Sequence, residues 1–347
     1  MAALWQNETF QVAFWALVKV VIILQVLLGV VSYLIFAERK VMGHIQARTG
    51  PNRVGPFGLL QPIADVVKLL FKEEFIPAQA NKVVFHIAPI LAVFPAIVTF
   101  AVIPFGPAPM FLVTDINVGL LLFLAMSSLG VYALTLGGWS SNNKYALLGG
   151  LRSSAQMISY ELAMGLSTIP VILEASTLSL NGIVGAQMQP LDFYGFSLAF
   201  LPNWFLLKPH LFLPFVIFTI TMFAETNRTP FDLPEAEGEL VAGFHTEYSS
   251  MKWALFFLGE YMNILAICSI CITLFMGGWD GPGPDAIGLL WFLLKLAAFI
   301  FLFIWVRWTF PRFRYDQLMD FGWKVLLPAS IANVVIAALV VYWRTHG

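Results

Sequence analysis

Apolar residues along this chain do not alternate with polar ones but come in unbroken blocks. Eight blocks stand out, near residues 11–36, 83–105, 117–139, 153–178, 205–225, 251–276, 286–310 and 321–343. A bilayer core takes about 20 apolar residues per helical crossing. Continuous runs of that length read as helices, not as the short alternating strands of a membrane barrel. The expected fold is therefore all-α and integral to a membrane: eight transmembrane helices in a single membrane domain over 1–347. The first block is too long for the core of a cleavable signal and lacks a small-residue cleavage site. No internal repeat is visible, which argues against an inverted-repeat transporter.

One stretch follows a different rhythm. In "AERKVMGHIQARTGPNRVGPFGLLQPIADVVKLLFKEEF", 37–75, Gly50, Pro51, Gly55 and Pro56 interrupt any helix. Beyond them, 57–74 reads as an amphipathic helix. Gln61, Asp65, Lys68 and Lys72 are spaced by four, three and four, so they share one face. Leu59, Leu60, Ile63, Val66, Val67, Leu70 and Phe71 fill the remainder. Such a helix lies along the membrane surface. Two readings of its polar stripe stand: a generic interfacial anchor, or the lining of a site.

Composition strengthens the membrane reading. The chain is 59% hydrophobic and 11% charged, with mean hydropathy +0.81, where soluble domains carry about 25% charged residues. Charge also sets the orientation. With the N-terminus outside, the inside segments hold fifteen of the nineteen Lys and Arg residues, as the positive-inside rule requires. Three inside segments then stand out: the loop 37–82 with its amphipathic helix, an acidic loop over 225–250, and "RWTFPRFRYDQLMD", 307–320. The arginines of the last suit lipid phosphate or an acidic partner.

Other chemistry is sparse. Cys268 and Cys271 sit inside one apolar block and read as packing, since zinc or an iron–sulfur cluster needs more ligands. The five histidines are scattered. There is no dinucleotide fingerprint, no Walker sequence and no basic patch of a nucleic-acid binder. The chain is expected to hold no metal, no redox centre and no nucleotide.

The acids carry the functional signal. Glu161 and Glu260 lie within apolar blocks, as do Lys19 and Lys295, and an ionisable group at membrane depth is costly unless it is used or paired. The loop adds Glu225, Asp232, Glu235, Glu237, Glu239 and Glu247, with Arg228 as its lone base. Pro230 and Pro234 deny it a regular helix at its start. Phe231, Leu233, Leu240, Val241 and Phe244 are apolar enough to fold it back into protein. Like charges crowded in dry surroundings cannot all ionise, so the set titrates as a coupled group able to accept and pass protons. The plainer alternatives are an exposed acidic loop and carboxylates paired for structural reasons.

Taken together, "ERKVMGHIQARTGPNRVGPFGLLQPIADVVKLLFKE", "AETNRTPFDLPEAEGELVAGFHTEYSSMKWALFFLGEY", "SSAQMISYEL" and "RWTFPRFRYDQLM" resemble one family: the H-type membrane subunit of respiratory NADH:quinone oxidoreductase, complex I, in its alphaproteobacterial or mitochondrial form. The resemblance covers nearly the whole chain. It implies a subunit at the junction of membrane and peripheral arms that forms much of the chamber for ubiquinone, its substrate. Positions Arg39, Arg48, Asp65 and Phe231 are implied at the quinone site. Glu161, Glu225, Asp232, Glu235, Glu237, Glu239, Glu247 and Glu260 are implied as the proton path. NADH, FMN and iron–sulfur clusters would reside only in partner subunits. The implied partners are the peripheral-arm quinone-site subunits, the small membrane subunits next to the antiporter-like ones, and phospholipid. The implied location is a bacterial plasma membrane or the mitochondrial inner membrane. Alternative readings are the homologous anchor of an energy-converting hydrogenase, a stand-alone proton or ion transporter, and a passive structural anchor.

Overall fold

The computed structural model describes residues 8–107, 111–193, 196–234 and 237–346. Helices dominate. In chain order they are α1 (Glu8–Ile45), α2 (Gln61–Phe71), α3 (Lys82–Phe100), α4 (Gly119–Ser140), α5 (Lys144–Ala175), α6 (Leu180–Gln187), α7 (Pro209–Glu225), α8 (Ser250–Phe275), α9 (Gly288–Thr309), α10 (Tyr315–Asp320) and α11 (Leu327–His346). A π turn, Phe321–Leu326, joins α10 to α11 without a break. Among the described residues, seven segments are long and apolar enough to cross a membrane: 14–45, 82–100, 119–140, 144–175, 250–275, 288–309 and 315–344. The apolar α7 has 17 residues, about 26 Å at 1.5 Å per residue.

The blocks read from sequence match these helices, with shifted ends. α1 runs on to Ile45 rather than stopping near 36. Its 38 residues span about 57 Å, well beyond an apolar core of roughly 30 Å. α5 begins at Lys144, where the Asn143 side chain accepts the Tyr145 amide and caps the helix. The amphipathic helix is shorter than 57–74, because a tight turn at Pro56–Gly58 precedes it. One element departs from the all-α expectation. Strands β1 (Pro190–Phe193) and β2 (Phe196–Pro202) pair antiparallel with Leu191 opposite Leu198.

Packing places α8 at the centre. Its apolar stretch is 72% buried, against 17% for α1, so α8 is the hub and α1 a peripheral wall. α3, α4, α5 and α7 surround α8, with α11 on α5 and α9 between α8 and α1. Hydrogen bonds sort the connections to two ends. At one end Asn81 N bonds Ser140 O at 3.1 Å, Phe75 N bonds Ser249 Oγ at 3.0 Å, and Thr229 Oγ1 bonds Arg307 O at 2.9 Å. At the other, Leu120 N bonds Leu178 O at 3.1 Å and Gln187 Nε2 bonds Thr273 O at 2.9 Å. The loops 37–82, 226–249 and 310–314 therefore share one face.

The two lysines inside apolar helices serve the opposite end. The Lys295 ammonium donates to the carbonyls of Met276 (2.6 Å), Gly278 (3.0 Å) and Asp280 (2.5 Å), over the Trp204 ring. Lys19 donates to Leu112 O at 3.2 Å. Cys268 and Cys271 are free thiols buried in the core.

Candidate functional site

Two cavities lie side by side near the loop-bearing end. The first opens between α1, α2 and the start of α8, with about 1080 Å³ of empty volume. Its walls are mostly apolar, including Leu28, Val31, Val66, Leu69 and Leu255. Its polar end is built by α1 and α2 together. Arg39 Nη1 lies 2.7 Å from Asp65 Oδ2, and Gln61 Nε2 donates to Asp65 Oδ1 at 3.0 Å. Beyond that pair a second, polar hollow holds Arg39, Arg48, Asn52, Arg53 and Gln61. Arg39 and Gln61 border both spaces.

The polar stripe on α2 splits. Gln61 and Asp65 face the cavity, while Lys68 and Lys72 are exposed. α2 is fixed from α8: Ser250 Oγ donates to Leu69 O at 3.0 Å and Lys72 O at 2.9 Å, and Lys252 Nζ lies 2.9 Å from Glu74. Those bonds occupy carbonyls at the helix end that have no partner within the helix.

Of the residues implied at the quinone site, three gather here. Arg48 lines the polar hollow and donates to Gln46 Oε1 at 2.8 Å. Phe231 lies elsewhere. It is buried against Tyr160 and Phe313, with ring centroids at 5.4 and 5.7 Å, and lines neither space.

The second cavity, with about 880 Å³ of empty volume, lies among α3, α4, α7 and α8. Glu225, Glu260, Ser127, Asn263 and His245 reach its wall. Ser127 Oγ donates to Glu225 Oε1 at 2.5 Å, and the adjacent Ser128 donates to Glu161. Glu161 and Glu225 are electrostatic neighbours. Glu260 pairs with Arg228 at 2.6 Å. Trp253 and Phe257, stacked at 5.0 Å, belong to the walls of both cavities and separate them.

A polar row passes beside this aromatic partition. Glu38, next to Arg39, is 6% exposed. It pairs with Arg307 and accepts the Tyr261 hydroxyl at 2.5 Å. The Arg228 guanidinium sits 4.5 Å from the Tyr261 ring centroid and binds Glu260. From Arg39 to the second cavity, charged or hydroxyl groups thus follow one another without an apolar gap. Charge and hydropathy alone do not single out Glu38. Its signal is positional: Leu27, Val31, Leu34 and Glu38 recur by four, three and four, and all four are buried.

The loop 226–249 folds back as its apolar residues require. Phe231, Leu233, Leu240 and Phe244 are buried, though Val241 is 63% exposed. Gln156 of α5 anchors it by donating to Ala224 O (2.9 Å) and Phe231 O (2.8 Å). Its acids disperse. Asp232 is half-buried. Glu247 accepts from Asn143 Nδ2 at 2.6 Å, away from the second cavity. Glu239 is exposed and accepts from Arg152 at 2.7 Å, with Arg312 at 3.5 Å. The Arg152 hydrogen bond, helped by both positive charges, holds its carboxyl below the ordinary range, opposite to the raised proton affinity read from sequence. Glu235 and the Glu237 side chain lie outside the described residues. The three proton-path acids that meet around one cavity are therefore Glu161, Glu225 and Glu260.

A separate cluster occupies the opposite end of the bundle. Glu174, buried, lies 2.6 Å from Lys208 and 2.6 Å from Arg344, with His210 Nε2 at 3.4 Å. It ties the end of α11 to α5 and α7.

Residues 18–338 match the NADH dehydrogenase family. The first of two relatives carries the name of an H-type NADH-quinone oxidoreductase subunit, copy 1, in Geobacter metallireducens. It is 53% identical over 336 residues, spanning 94% of this chain and 97% of its own. The H-type NADH-quinone oxidoreductase subunit of Rhodospirillum rubrum is 51% identical over 343 residues, spanning 97% of each chain.

Proposed function

The chain belongs to the NADH dehydrogenase family as an H-type membrane subunit of NADH-quinone oxidoreductase, and from that premise we propose how it joins quinone reduction to proton transfer. It is a multi-pass membrane protein that works within an assembled oxidoreductase, whose other subunits are its partners. In the finer reading, α7 supplies an eighth crossing and the N-terminus faces outside. The fifteen inside basic residues support that orientation. The membrane is then the bacterial plasma membrane, with the loop 226–249 toward the cytoplasm.

The first cavity is proposed as the quinone passage. A long isoprenoid amphiphile needs an apolar mouth toward lipid and a polar end for its headgroup. The space between α1 and α2 has both, and this juxtaposition of an apolar passage ending at Arg39–Asp65 carries the reading. Ubiquinone is the substrate proposed. Its reduction to quinol takes two electrons, delivered from partner subunits, and two protons.

Charge appearing on the headgroup near Arg39 raises proton affinity in its surroundings. The row Glu38, Tyr261, Arg228 and Glu260 carries that change to Glu225 and Glu161. No group there must move far, since each contact already lies at hydrogen-bond or ring-contact distance. Asp232, Glu235, Glu237, Glu239 and Glu247 are proposed to serve the entry side of the same path.

The test is Glu225→Gln or Glu260→Gln in the assembled complex within native vesicles. Quinone reduction should persist while proton uptake per quinone falls. Unchanged uptake in both variants would remove the carboxylates from the path.

A further inference from the structure

Tyr160 is fully buried one residue before Glu161, and three elements converge on it. Its hydroxyl donates to Leu318 O, at 2.7 Å, in α10. Gly322, in the π turn, lies flat on its ring: a Cβ there would stand 3.3 Å from Cε2 and 3.4 Å from Cζ. Phe231 packs edge-on against it from the loop. One residue earlier, Ser159 Oγ accepts Trp323 Nε1 at 3.1 Å, again from the π turn.

A π turn holds one residue more than an α turn and is rare, so it persists where surrounding contacts maintain it. Here the Leu327 amide reaches back to Gly322 O, five residues away. The contacts that accompany it land on two neighbouring residues of α5, Ser159 and Tyr160. Straightening the turn would displace Gly322 and Trp323 from both. The next residue, Glu161, is held from the other side by Ser128 of α4.

We propose that the π turn 321–326 is a positioning element for Glu161. It fixes the rotation of α5 through Gly322, Trp323 and Tyr160, so that the Glu161 carboxylate faces Ser128 and the Glu225 cavity. The same turn reports on the arginine segment 310–314, because Phe313 N bonds Pro230 O at 3.1 Å and the Phe313 ring meets Phe231. A partner that docks on that segment would thereby bear on the carboxylate. The inference rests on the proposed use of Glu161 in proton transfer.

The experiment uses the intact complex in vesicles, comparing Trp323→Phe, Gly322→Ala, deletion of Val325, and Glu161→Gln. Trp323→Phe keeps the ring and removes the donor. Deletion of the exposed Val325 removes the extra residue and returns the helix to α register with its flanks in phase. A purely structural role would lower the amount of complex and its quinone turnover together. A positioning role splits them: turnover per assembled complex is kept, and protons moved per quinone fall to half or less. Should the deletion fail to assemble, Trp323→Phe and Gly322→Ala decide. If these pump at the parent ratio while Glu161→Gln does not, the positioning role is overturned and the relay stands. If Glu161→Gln also pumps at the parent ratio, both fall.

Discussion

Replacing Tyr261 by Phe removes one oxygen from the row that joins the two cavities. The ring would stay, under Arg228 and against Phe257 at 4.9 Å. What is lost is a hydroxyl that donates to a buried carboxylate, Glu38, at 2.5 Å. A hydrogen bond to a charged group contributes about 1.5–3 kcal/mol. If proton movement passes through that hydroxyl, the same amount appears in the barrier, slowing transfer by about ten- to a hundred-fold. The assay is quinone turnover and dye-reported acidification in vesicles that hold the assembled complex. Tyr248→Phe is the matched control. Its hydroxyl is also buried, shares a bond with Ser140 at 3.1 Å, and is pushed up to about 12 by burial, but it stands outside the row. Tyr261→Phe should lose pumping while Tyr248→Phe keeps it. Equal pumping in the two variants, at parent levels, refutes the role of the row.

Asp65→Asn should change folding stability by under about 1 kcal/mol, because its pair with Arg39 is exposed enough for water to screen it; a raised KM for quinone at unaltered complex levels is the expected readout. Gly259→Ala brings a methyl to 2.7 Å from Ala92 O, forcing α8 away from α3; a loss of about 1–3 kcal/mol should show as a lower melting temperature. Lys295→Met leaves three carbonyls without their donor; assembly should fall while quinone KM in the surviving complex stays. For Glu239, whose carboxyl is held low by Arg152, the stabilising contribution is present above the unfolded value of about 4.3 and is lost as pH falls through the folded one. The melting difference between parent and Glu239→Gln should therefore be present at neutral pH and close in acid.

Much of the architecture was legible because lipid imposes a simple pattern: long apolar blocks become helices wherever they occur. Ends were less legible. α1 continues past its apolar block because nothing in "AERKVMGHI" stops a helix, and hydropathy says nothing about a helix that leaves the membrane still wound. The short strand pair was invisible, since "PLDF" and "FSLAFLP" carry no turn chemistry that distinguishes them from a loop. In the site, Arg39, Asp65, Glu161, Glu225 and Glu260 could be picked out by charge within apolar surroundings. Their sorting could not. Glu239 and Glu247 look like Glu225 in sequence, but Arg152 and Asn143, brought close only by the fold, give them other company. Glu38 hid because an acid near a helix end is ordinary, and only its place on a buried stripe marks it.

The outer position of α1 has a mechanical consequence. That helix forms one side of the larger apolar space, and little of it is covered by other protein. Polar ties to other elements hold it toward its two ends, among them those of Lys19 and Glu38. The stretch between can bow outward against fluid acyl chains while the hub around α8 stays shut. Admission of a bulky oxidant thus draws on the softness of the bilayer, whereas hydrogen-ion traffic runs through stiff, close-packed protein. Stiffening the lipid should slow substrate exchange and leave the number of charges moved per turnover untouched.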